Sequence, residues 1–106
     1  MPKYMVETKY TLEGIKGLRA EGGSARRAVA TSGIEELGGK VEAFYFAFGD
    51  SDVVVIADLP DNVSAAALGL VVSAGGGVTT KTTVLLTADE MDAAAKRKSS
   101  YRPPGA

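Results

Sequence analysis

The tightest constraint on this chain's fold lies between Gly38 and Asp61. Two short apolar segments, Val41 to Phe48 and Val53 to Asp58, are joined by Gly49-Asp50-Ser51-Asp52. Segments rich in valine and aromatic residues are strands, and a Gly/Asp/Ser connection suits a hairpin turn. Alternation places Val41, Ala43, Tyr45 and Ala47 on one side, with Phe44, Phe46 and Phe48 on the other. In the second segment Val53, Val55 and Ala57 oppose Val54 and Ile56. Both sides of the hairpin are therefore apolar, and both need cover. One chain of 106 residues has helix enough for one side. The expected cover for the other is a second copy, because large exposed apolar patches mark interaction sites.

The flanking segments complete a pattern. Lys3 to Tyr10 alternates with a period of two, so it is a strand carrying Tyr4, Val6, Thr8 and Tyr10 on one side. Ile15 and Leu18 suggest a short helical turn, weakened by Gly14 and Gly17. Ser24 is the expected N-cap of a second helical stretch. Its apolar stripe would be Ala25, Ala28, Val29 and Leu37, with Gly33 inside it and Gly38-Gly39 as its stop. Pro60-Asp61 opens a third helix, with Val63, Ala67, Leu70, Val71 and Ala74 as a single-face stripe. Gly75-Gly76-Gly77 ends it, and Val78 to Leu86 forms the fourth strand. Thr87-Ala88-Asp89-Glu90 is a capping box for a last short helix. The order is β-α-β-β-α-β plus a terminal helix, the signature of an α+β, ferredoxin-like domain with an antiparallel four-stranded sheet. The domain is expected over residues 1–95, with a basic, irregular tail over 96–106.

Composition narrows the chemistry. Twelve basic residues against thirteen acidic ones give a net charge of −1, so no global basic excess points to nucleic acid or an anionic membrane. Histidine and cysteine are both absent, which removes the usual general base, the thiolate nucleophile and the commonest transition-metal ligands. No cofactor and no metal are expected. The polar start of the chain carries no apolar signal core, and the longest apolar run, Val53 to Ala57, is too short to span a bilayer. A cytoplasmic protein is the expectation.

The motifs that resemble sites fail on context. Gly17 to Ser24 has the spacing of a phosphate loop, but Gly23 stands where the lysine belongs and no strand directly precedes it. Gly75-Gly76-Gly77 runs helix to strand, the reverse of a dinucleotide fingerprint. Asp50, Asp52, Asp58 and Asp61 lack calcium-loop spacing and sit mostly where turns and caps favour aspartate.

The stretch Gly38-Gly39-Lys40-Val41-Glu42-Ala43-Phe44-Tyr45-Phe46, followed by Gly49 and by Asp52 to Asp61, resembles the GYD-domain family. Tyr4-Met5-Val6 and Tyr10-Thr11 fit as well. The chain departs at the naming motif, reading Gly49-Asp50-Ser51-Asp52. The resemblance implies a ferredoxin-like domain similar to dimeric α/β-barrel proteins, and brings no established activity or catalytic residue.

Two functions fit these readings. One is a small oligomeric ligand-binding or assembly module. The other is a cofactor-free enzyme, monooxygenase- or isomerase-like, acting on an apolar or aromatic compound; it rests on fold analogy alone. The expected partners are a second copy, making at least a dimer, and a small apolar molecule. A ligand would sit between sheet and helices or between two apposed sheets, touching at least one of Tyr4, Tyr10, Tyr45 and Lys81. The competing reading for all four is sheet packing or solvated surface.

Overall fold

The computed structural model describes residues 1–106. Its elements run β1 (Lys3–Tyr10), α1 (Leu12–Glu21), α2 (Gly23–Glu36), β2 (Lys40–Phe46), β3 (Val53–Asp58), α3 (Asn62–Ala74), β4 (Val78–Leu85) and α4 (Ala88–Ala95). The strands form one sheet in the order β2-β3-β1-β4, every neighbouring pair antiparallel. This is the ferredoxin-like α+β arrangement, with β1 central because α1–α2 and α3 each carry the chain across one strand.

Register decides which face is which. Tyr4 opposes Ala57, Val6 opposes Val55 and Thr8 opposes Val53. These residues share the helix-covered face with Phe44 and Phe46 of β2, and with Val78, Thr80 and Thr82 of β4. The opposite face carries Met5, Val54, Ile56, Ala43 and Tyr45, ringed by Lys3, Glu7, Lys81 and Asp58. A β-bulge between Val41 and Ala43 corrects the alternation expected for β2. The extra residue reverses the phase, so Val41 joins Phe44 and Phe46 on the helix side. β2 ends at Phe46, and Phe48 lies fully exposed in the connection.

The helices begin and end as their caps dictate, with one exception. Thr11 accepts from the Gly14 N–H and starts α1, and Asp61 accepts from the Ser64 N–H at 2.8 Å and starts α3. α2 follows α1 across Gly22 alone, and no side chain caps it, so Ser24 is a residue of the helix rather than its cap. Its end is a Schellman closure. Gly39 donates to the Ile34 carbonyl and Gly38, at φ +81°, to that of Glu35. α4 has the full capping box, Thr87 and Glu90 each accepting the other's backbone N–H.

Two expected helix faces are corrected. α2 turns Ile34 inward, with Ala30 and Leu37 beside it; Ala25 and Ala28 face out, and Val29 is 56% exposed. In α3 the inward residues are Ala65, Leu68 and Val72, while Val63, Leu70 and Val71 are 77%, 73% and 69% exposed. α3 is apolar around most of its circumference, so its periodicity admits either face, and the connections to β3 and β4 choose. The outcome is a second apolar surface, on the outside of the helix layer.

The core is thin. Nine residues are buried: Tyr4, Ala57, Leu59 and Ala65 at one end of the sheet, and Val6, Val53, Val55, Ile34 and Leu68 along the rest of the contact between sheet and helices. Every residue from Leu86 to Ala106 is exposed. The radius of gyration is 16.9 Å, against about 13 Å for a compact globule of this size, so the C-terminal arm projects from the body. No helix is long and apolar enough to cross a membrane.

Candidate functional site: a cleft between helices and sheet

α2 lies against β2 and α3 against β4, on opposite sides of the central strands. The space between them is a cleft of about 720 Å³, floored by Val6, Val53, Val55 and Phe44. One wall is Leu18, Val29, Ala30, Ile34 and Leu37; the other is Leu68, Val71 and Val72. Thr8, Thr80, Tyr10, Glu21, Arg26 and Glu36 supply the polar groups. A mostly apolar concavity of this size with a few polar groups is the usual make-up of a small-molecule site.

One end of the cleft is built by close backbone contact. The Thr11 N–H donates to the Gly77 carbonyl at 3.0 Å, and its hydroxyl to that of Gly76 at 2.9 Å. A Cβ on Gly14 would stand 1.8 Å from the Gly77 carbonyl oxygen. Glycine at 14 therefore weakens the helix locally but admits the turn that closes the cleft. The triple glycine, read as a helix stop, also serves as this latch.

Of the four sequence candidates, the structure brings only Tyr10 to the cleft. Burial pushes its phenol above the ordinary tyrosine pKa, against the lowering pull of the Arg26 guanidinium beside it. The hydroxyl thus stays protonated at neutral pH and can donate. Arg26 also pairs with Glu21 at 3.5 Å. Tyr4, six residues earlier on the same face, is 1% exposed and donates to Asn62 Oδ1 at 2.6 Å. Tyr45 is 70% exposed on the open sheet face. Lys81 is exposed there too, on edge strand β4 opposite Glu7.

Three of the four aspartates are occupied by the fold, Asp61 as the cap of α3. Asp52 Oδ2 accepts the Tyr10 backbone N–H at 2.8 Å and its own N–H donates to the Thr8 carbonyl, pinning the hairpin connection to the end of β1. Asp58 accepts from Lys3, which also donates to Glu42. These two bonds hold the lysine above its usual pKa. Nowhere do three carboxylates converge to hold a metal ion. Sequence reasoning missed the glycines of the walls, Gly17, Gly33 and Gly69, which line the cleft.

No curated protein and no solved structure matches the chain. The GYD domain model matches residues 4–95, which takes in all of the sheet but Lys3, the cleft and α4, and on that match the chain belongs to the GYD-domain family.

Proposed function

We propose that this protein is a small-molecule-binding module that works as a homo-oligomer. The observation that carries the first half is the cleft of about 720 Å³, too large to be a packing defect in a 106-residue chain. Its ligand is a mostly apolar molecule, desolvated by the valines of the floor, with at most one or two hydrogen-bonding groups directed at Tyr10 and Arg26. Titration with N-phenyl-1-naphthylamine, a neutral apolar fluorophore, tests this. One saturable site per chain is expected; fluorescence that never saturates, or no binding, overturns it.

The second half is supported by two apolar surfaces on opposite sides of the molecule. One is the open sheet face at Met5, Val54, Ile56 and Tyr45; the other is the outside of α3 at Val63 and Leu70. The arm adds to this. An eight-residue helix without tertiary support is marginal in water, so α4 is expected to find its partner in a second copy. Sedimentation of the full chain at micromolar concentration should show a species of at least twice 10.9 kDa, and a clean monomer would refute the assembly.

A further inference from the structure

We infer that Gly33, together with Gly17, determines the size of the molecule that the cleft admits; the inference rests on the cleft-binding reading and sharpens it. The glycines of this chain sort by what demands them. Gly14 and Gly39 are forced by neighbouring backbone, since a Cβ would stand 1.8 Å from the Gly77 oxygen or 2.5 Å from the Asp58 oxygen. Gly22, Gly38 and Gly76 are placed by positive φ. Gly33 and Gly17 answer to neither demand. Each sits inside a helix, where glycine is a poor helix former beside alanine. Each lines the cleft, and a Cβ added to either would meet nothing within 4 Å.

Nothing in the chain's own packing accounts for the missing side chains at these two positions. Both lie on the wall that α1 and α2 present to the cleft, so their bareness widens it. A bound molecule can then lie directly against helix backbone. Any side chain at position 33 would occupy volume now open to ligand, while relieving the helix of a residue that disfavours it. Helix stability and ligand capacity thus pull in opposite directions at one position.

The test uses the full chain and two probes of different size, N-phenyl-1-naphthylamine and indole, with melting temperature measured in parallel. Gly33→Ala is expected to leave the melting temperature unchanged or raise it. Gly33→Leu is expected to keep the fold and weaken the larger probe by about ten-fold or more, with indole affected less than about three-fold. Gly17→Leu should act in the same direction. Unchanged binding of the larger probe to Gly33→Leu would overturn the inference while leaving the cleft reading intact. A clear fall in melting temperature for Gly33→Ala would also overturn it, by showing that the fold itself needs the glycine. Absence of saturable binding in the unaltered protein would defeat both readings together.

Discussion

Tyr4 and Tyr10 lie on one face of one strand, yet at opposite ends of β1 they meet opposite surroundings. Tyr4 is enclosed by Ala57, Leu59 and Ala65, and its hydroxyl is taken by Asn62. Tyr10 looks into the cleft beside Arg26 and Thr80. At the Tyr4 end the chain fills its own interior; at the Tyr10 end the two helix walls stand apart. The same side chain is thus a structural anchor in one place and a candidate ligand contact in the other. What separates the two is how far the helix layer closes over the sheet.

That comparison can be broken most sharply at its closed end. Leu59 is 0% exposed, and Leu59→Ala should cost about 2–5 kcal/mol of stability while leaving probe affinity unchanged in the folded protein. Chemical denaturation and a probe titration on the same variant would read both, and a change in affinity alone would mean that the two ends are not separable. Exchange of the two phenols should have a smaller, split effect. Tyr4→Phe removes a buried hydrogen bond and should cost about 1 kcal/mol of stability without altering binding. Tyr10→Phe should move stability by less than about 0.5 kcal/mol and weaken 1-naphthol, which carries a hydroxyl, by roughly five-fold. Equal effects of both substitutions on stability and binding would erase the distinction.

The smallest expected effect concerns acid, and it separates the helix caps from both ends of the sheet. Asp61 is held below the ordinary carboxylate pKa by the Ser64 backbone N–H, and Glu90 by that of Thr87. Depressed acids contribute stability above their unfolded pKa and lose it as pH falls through the folded value. Lys3 and Tyr10, both raised, contribute below their unfolded pKa and lose it as pH climbs through the folded value. Asp61→Asn keeps a good cap without the charge, so it should flatten the acid limb of a melting-temperature profile and leave neutral pH nearly unchanged. An acid limb identical to that of the unaltered protein would remove Asp61 from the account.

The parts of the fold legible in the sequence are those governed by local chemistry. The alternation of Lys3 to Tyr10, the Gly38-Gly39 stop and the Thr87–Glu90 box each appear where their residues place them. The misread parts depend on tertiary choice. The inward face of α3 could not be read because Val63, Leu68, Val71 and Val72 surround the helix with apolar groups. The phase of β2 turned on a bulge that no single residue announces. A cleft between sheet and helices was foreseeable from the fold, and Tyr10 from its strand position. The rest of the site was not, because a cavity is made by missing atoms. Gly17 and Gly33 look like weak helix formers until a structure shows the open space beside them.

The nine-residue core has a thermodynamic consequence. A chain that buries so little of itself draws little free energy from its own interior, and on the proposed reading the remainder is borrowed. Occupants that bind only the folded form add stability by mass action, so the melting temperature becomes a function of ligand concentration and of protein concentration. Dilution and ligand depletion then act on this molecule much as heat does.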